Sequence, residues 1–360
     1  MHPDALASHR AAPRLRRRYA TGVPLAEGGT ADVYRAYDAT LGREVALKYL
    51  RHKRPALVAR LLREARALAR LQHPGICEVY QVGESEGRPY VARRLVDGDE
   101  LNVALAGAPW RTIVRVLRAA ADGVAAAHAA GLVHRDLKPS NILVEVDADD
   151  GALRPVVVDF GIVHDLQRGS GTLLTEAGQL LGTVQYMAPE QLRGTPDAIG
   201  PQADVWALGI TLAQLLSADG RTPFRADSQI GLMRAVLRAT PQLPDVGPPA
   251  LRAVLRRCLA KRPGDRYRDA RALVDDLDRV LDDRPIAPRS AGMRLRSALE
   301  PLRRHPLVAI SALLLLIALG LALGLELRHR EHLQQRRDRD QRMPTQRLQR
   351  RPQAPAGRPR

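Results

Sequence analysis

The chain holds four lysines among its fifty-six Lys and Arg residues, and two of the four sit in short segments dense with groups that could handle phosphate. Lys48 closes Val45-Ala46-Leu47-Lys48, and Lys138 lies inside His134-Arg135-Asp136-Leu137-Lys138-Pro139-Ser140-Asn141. Lysine offers a compact point charge on a flexible stem, whereas arginine offers a wide planar fork, so a narrow phosphate site accepts the first and misplaces the second. A composition that has made nearly every other basic position Arg has kept Lys at these two. Phenylalanine is scarcer still: one of the two is Phe160 in Asp159-Phe160-Gly161, directly after the apolar run Val156-Val157-Val158.

The elements that must position these groups read as strands first and helices after. Strand-like alternation covers residues 22–25, 32–38 and 44–50, then 77–82 and 89–95. Between them a helical period runs over 56–71, with Leu57, Leu61, Leu62, Ala65, Leu68 and Ala69 on one face. His73-Pro74-Gly75 ends it. From Val103 the pattern is mostly helical, interrupted by the motif-bearing loops, which makes the arrangement α+β. The acidic run Asp147-Ala148-Asp149-Asp150-Gly151 lacks the remaining ligands of a calcium loop and reads as a solvated turn.

The three chemistry-bearing segments, in this order, resemble a bacterial eukaryotic-like Ser/Thr protein kinase, and the resemblance covers about residues 19–283. It implies a two-lobed protein kinase fold, a small mainly β N-lobe (19–95) and a larger mainly α C-lobe (96–283), and transfer of the ATP γ-phosphate to protein Ser/Thr hydroxyls with Mg²⁺ or Mn²⁺. Such transfer is positioning and charge neutralisation more than covalent chemistry. By the resemblance, Lys48 holds the α- and β-phosphates and Glu64 is its acidic partner. Asp136 accepts or orients the substrate hydroxyl proton, Lys138 neutralises the moving γ-phosphate, and Asn141 and Asp159 hold the metal. Leu25, Gly28, Val33, Ala46 and Leu143 line the nucleotide pocket.

The same resemblance carries over to the downstream motifs. Thr183, in Gly182-Thr183-Val184, contacts the catalytic loop. Glu190 of Ala188-Pro189-Glu190 pairs with Arg266, and Asp204 of Asp204-Val205-Trp206 anchors the catalytic loop. Arg135 receives a phosphate on the activation segment, for which Ser170, Thr172 and Thr175 are the acceptors, with Thr172 or Thr175 favoured. Autophosphorylation in trans then calls for self-association.

Two segments depart from the family pattern. The phosphate-covering loop keeps only Gly28 of three glycines, with Ala26 and Ala31 at the flanking positions, which lack easy access to positive φ. Arg93 and Arg94 stand where a hydrophobic gatekeeper and an acidic hinge residue are usual. These departures support an alternative reading, a pseudokinase scaffold at the membrane, against which stand Lys48, Glu64, Asp136, Asn141 and Asp159.

The net charge of +17 is not spread evenly. Residues 284–360 hold seventeen Arg, no Lys and five acidic residues, a net of +12 that leaves +5 for the rest. The excess lies in an appendage, which disfavours nucleic acid as a partner of the fold. Residues 1–18 are Arg-rich without an apolar run, a disordered basic arm and not a secretory signal. Residues 284–306 form a basic juxtamembrane linker, residues 307–325 carry nineteen residues without a charge, and residues 326–360 form a basic disordered tail. Nineteen uncharged residues approach the ~20 that span a bilayer as a helix. The expectation is a single-pass protein of the inner (cell) membrane with its kinase domain in the cytoplasm, where ATP is. Arginine counts near the span, five before and six after, barely discriminate its orientation. Cys77 and Cys258 match no metal or disulfide framework.

Overall fold

Alternating burial builds the first sheet. In the computed structural model, residues 18–27, 31–50, 65–85, 88–160, 184–194 and 199–287 are described; the expected transmembrane segment 307–325 and the tail lie outside them. Strands β1 (Tyr19–Glu27), β2 (Ala31–Asp38), β3 (Arg43–Leu50), β4 (Val79–Ser85) and β5 (Arg88–Arg94) form one antiparallel sheet in the order β1-β2-β3-β5-β4. Its core packs Tyr19, Ala36, Val45, Leu47, Tyr49, Tyr90 and Ala92. Tyr19 and Tyr90 meet edge to face at 6.2 Å. Register sets which side chains look into the cleft. Lys48 lies opposite Val33 on β2 and Val91 on β5, and Ala46 lies opposite Arg93. With a side-chain period of two, Ala46, Lys48, Val91 and Arg93 therefore share one face.

A second sheet, β6 (Asp99–Glu100), β7 (Ile142–Val146) and β8 (Leu153–Val157), sits at the start of the helical part. The acidic turn between β7 and β8 is solvated as expected: Asp147 Oδ1 accepts from Asp149 N at 2.9 Å, and Arg154 Nη2 pairs with Asp147 Oδ2 at 2.7 Å. The two parts are tied by the backbone of the segment after residues 65–68. Val157 N donates to Gly75 O and Cys77 N donates to Val157 O, both at 2.9 Å.

The helices are α1 (Leu101–Ala104), α2 (Trp110–Ala129), α3 (Pro189–Leu192), α4 (Pro201–Leu216), α5 (Gln229–Arg238), α6 (Pro249–Cys258) and α7 (Ala270–Leu281). Helix α4 is buried on nearly every side, the mark of a core helix. Among the described residues no helix is long and apolar enough to cross a membrane. Helix α2 lies close under residue 75: a Cβ on Gly123 would come within 2.7 Å of Gly75 O, so only glycine admits this approach. Cys77 and Cys258 are both buried free thiols.

One buried ion pair joins the start of α3 to the segment before α7. Arg266 donates to Glu190 through Nη1 at 2.7 Å and Nη2 at 2.8 Å. Its other N–H groups reach Gln202 O at 2.9 Å, Ala260 O at 2.8 Å and Lys261 O at 3.3 Å. All five guanidinium donors are used, and Trp206 lies against the guanidinium carbon at 4.9 Å. The pairing expected from the sequence is thus present. Removing one partner strands the other charge in the core, so Glu190→Gln and Arg266→Met are each expected to cost about 3–5 kcal/mol. Arg266→Lys should recover little, because lysine lacks the fork. Urea unfolding of the full chain and the three variants measures this; equal midpoints would refute it.

Candidate active site

The site is assembled from the loop between α2 and β7, the segment after β8, and the cleft face of β3 and β5. The loop cannot hold its own shape, since its backbone donors lie outside regular structure and must find acceptors elsewhere. Asp204, in the first turn of α4, supplies them. Its Oδ2 accepts from His134 N at 2.7 Å and its Oδ1 from Arg135 N at 2.8 Å. A third bond comes from His128 on α2, whose Nε2 lies 2.9 Å from Asp204 Oδ2. His128 Nδ1 accepts from Ala270 N at 3.1 Å, so the hydrogen sits on Nε2 and points at the carboxylate. Asp204 itself is 1% exposed.

The loop is held from a second side by Gln191, whose Nε2 donates to Arg135 O at 2.8 Å while its Oε1 accepts from Ala188 N at 2.9 Å. Arg135 has φ +67°, a left-handed conformation uncommon for a residue with a Cβ. Its backbone N–H and C=O are thus both bound from outside the loop. His134 is fully buried against Phe160, ring centroids 4.7 Å apart. Its Nε2 donates to Val158 O at 3.0 Å and its Nδ1 accepts from Asp136 N at 3.2 Å.

These bonds present the chemical groups. Lys138 Nζ lies 3.2 Å from Asp136 Oδ2. Asn141 Nδ2 donates to Asp136 O at 2.7 Å and approaches Asp136 Oδ2 at 3.3 Å. That use of the amide nitrogen leaves Asn141 Oδ1, a hard oxygen donor, outside the bond. Asp159, with φ +56°, turns its carboxylate to β3 and β5. Lys48 Nζ lies 3.0 Å from Asp159 Oδ1, and Arg93 Nη1 lies 3.0 Å from the same oxygen. Burial alone would raise the Asp159 pKa; Arg93 first, then Lys48, overcome it and hold the carboxyl well below the usual range.

Asn141 and Asp159 fit a divalent cation by donor type. Among the described residues no cluster of three His, Cys, Asp or Glu could hold a metal by itself. A hard cation here would be shared between these oxygens and those of a phosphate, as Mg²⁺ commonly is. The apolar pocket expected beside them is present in part: Val33 and Ala46 are buried, Leu143 packs near Cys77, Val156 and Val158, and Leu25 is half exposed on β1. A larger cavity of about 710 Å³, lined by residues such as Leu71, Pro74, Ala119 and Pro155, lies apart from these groups. Gly28, Glu64, Ser170, Thr172, Thr175 and Thr183 lie outside the described residues.

The structure thus sets Asp136 beside Lys138 and Asn141, and Lys48 beside Asp159, with Asp204 bonded to the loop that carries the first three. Sequence reasoning missed His128 and Gln191, whose partners are distant in sequence and whose surroundings carry no local signal. It marked Arg93 as anomalous without foreseeing its contact with Asp159.

A family model described as a protein kinase domain matches residues 19–276. The chain is 36% identical over 304 residues to the serine/threonine-protein kinase PknL of Mycobacterium tuberculosis, covering 79% of this chain and 72% of that protein. It is 35% identical over 296 residues to a probable serine/threonine-protein kinase of Streptomyces coelicolor, covering 77% of this chain and 42% of the relative. It is 35% identical over 291 residues to the serine/threonine-protein kinase PknB of Mycolicibacterium smegmatis, covering 76% and 45%.

Asp204→Asn puts an amide N–H₂ among groups that are all donors, and is expected to destabilise by about 2–4 kcal/mol and to disorder the Asp136 loop; thermal melts and amide exchange at residues 134–141 test it. His134 is kept neutral, its pKa lowered by burial. The unfolded chain therefore takes up a proton below about pH 6.5 that the folded chain refuses. This contribution to stability is complete above that pH and lost progressively below it. The urea midpoint should fall between pH 7.5 and 5.5, and fall less in His134→Asn; an equal slope in both proteins would refute the assignment.

Proposed function

The chain belongs to the protein kinase family and is an ATP-dependent protein-serine/threonine kinase; we propose that the groups gathered around Asp136 and Asp159 are its catalytic apparatus. Asp136 orients the substrate hydroxyl and takes its proton as the oxygen bonds to the γ-phosphorus. The bond from that phosphorus to the β–γ bridging oxygen breaks, and ADP leaves. Lys138, beside Asp136, neutralises charge on the moving phosphoryl group, and Lys48 holds the α- and β-phosphates. Asn141 and Asp159 would hold Mg²⁺ or Mn²⁺, which would supply neutralisation of the phosphate charge. The observation that carries this reading is the geometry at Asn141: its amide nitrogen is committed to Asp136 O at 2.7 Å, which ties it to the backbone of the base and leaves its oxygen outside that bond. A pseudokinase scaffold gains no support from a site in which Asp136 stands within bonding distance of Lys138 and Asn141, and Lys48 within bonding distance of Asp159.

Beyond the reaction, the reading places the enzyme at a membrane. The nineteen uncharged residues 307–325, flanked by arginines, support a single anchor, with the catalytic domain on the ATP-containing side. Anchoring concentrates copies in two dimensions and so favours phosphorylation in trans of Ser170, Thr172 or Thr175. Arg135, next to the base, is the receiver for such a phosphate.

The full chain in detergent, given radiolabelled ATP with Mg²⁺ or Mn²⁺, should label itself on Ser and Thr. Lys48→Ala and Asp136→Asn should each lower incorporation by about 10²–10⁴-fold. Thr172→Ala with Thr175→Ala should remove most of the label on the activation segment. Unlabelled but folded, nucleotide-binding protein would overturn the catalytic reading.

A further inference from the structure

The cleft contains a positive charge that phosphoryl transfer does not call for. Arg93 sits on β5 opposite Ala46, whose small side chain leaves room for the arginine to extend along the sheet toward Lys48. Its side chain is only 12% exposed. What remains of the space behind Lys48 is a cavity of about 40 Å³, lined in part by Leu68, Cys77, Arg93, Asp159 and Phe160. The Arg93 side chain and Phe160 both line this small cavity.

Its bonding is incomplete. Nη1 is within ion-pair distance of Asp159 Oδ1, but neither Nη1 nor Nε has a well-aligned hydrogen-bond acceptor. Arg266 shows the contrast, with five donors all placed. A buried arginine with most of its donors satisfied is a structural fixture. One held by charge alone on an oxygen that a second cation also uses can be displaced.

Resting on the reading of Asp159 as a metal ligand, we propose that Arg93 is a positioning residue that pairs with the carboxylate of Asp159 and competes with the divalent cation for it. With Lys48 it keeps Asp159 turned into the cleft and neutralised. The cation must then enter against a guanidinium, which raises the cation concentration the enzyme needs.

The test is Mn²⁺ binding, not turnover. Full-chain protein, Arg93→Met, Arg93→Gln and Asp159→Asn are titrated with Mn²⁺ at a fixed concentration of a non-hydrolysable ATP analogue. Free Mn²⁺ is read by electron paramagnetic resonance, and binding to the analogue alone is subtracted. Removing a unit charge a few ångströms from a divalent site should tighten Mn²⁺ about tenfold in both Arg93 variants. Arg93→Gln keeps polarity and most of the bulk, so agreement between the two assigns the effect to charge, and thermal melts establish that both fold. Equal or weaker Mn²⁺ binding in the two variants, with Asp159→Asn weakened as expected, overturns the competition while the metal-ligand reading stands. Undiminished binding in Asp159→Asn overturns both.

Discussion

A loop carrying catalytic groups has a physical difficulty: its backbone donors are not paired by helix or sheet, yet its side chains must stand within tenths of an ångström of fixed positions. In this protein the carboxylate of Asp204 resolves it by accepting from His134 N, Arg135 N and His128 Nε2. The carboxylate is buried on α4, the helix most enclosed by the core, so its position is set by packing and not by the loop. Rigidity then passes from core to loop through two short bonds, from His134 N and Arg135 N. His128 extends the chain of bonds to the first residue of α7, so α2, α4 and α7 all converge on one side chain. Low local dielectric strengthens such charge-assisted bonds and makes their loss costly.

The two non-glycine residues with positive φ in the site, Arg135 and Asp159, are consequences of that support. A left-handed residue with a Cβ costs on the order of 1–3 kcal/mol and persists only where its surroundings over-determine it. At Arg135 the N–H is taken by Asp204 and the C=O by Gln191. At Asp159 the preceding Val158 donates to Asn141 O at 2.9 Å and accepts from His134 Nε2 at 3.0 Å, while the carboxylate is held by Lys48 and Arg93. The strain serves direction: one turn immediately precedes Asp136, and the other turns the Asp159 carboxylate to Lys48 and Arg93.

How far this was legible in the sequence depends on the range over which each feature is encoded. Strand alternation placed all five strands of the first sheet, with ends off by up to three residues, as at β1, where residues 22–25 grew to Tyr19–Glu27. The octet from His134 to Asn141 located Asp136, Lys138 and Asn141, because the loop's chemistry is contiguous. Glu190 and Arg266 were paired only through resemblance; nothing in periodicity joins positions separated by 76 residues. His128 and Gln191 escaped notice for the same reason. A histidine on an apolar helix face and a glutamine after Glu190 look unremarkable until the fold brings Asp204 and Arg135 beside them. Arg93 was visible as an anomaly of residue type, but its reach along the β5 face to Asp159 depends on the small Ala46 opposite and on strand register, which are properties of the assembled sheet.

Arg93 and Arg266 show that burial of an arginine beside a carboxylate does not define its role. Arg266 is bound bidentately to Glu190 and to three carbonyls, so displacing it would strand five donors at once. Arg93 shares one oxygen of Asp159 with Lys48 and leaves buried nitrogens without aligned acceptors, so its hold is almost purely Coulombic. Coulombic attraction is the interaction most readily exchanged for a competing charge, because it has no directional requirement. A divalent ion with phosphate oxygens brings both more charge and its own ligands. The fold therefore holds Arg266 by the direction and number of its bonds and Arg93 by charge.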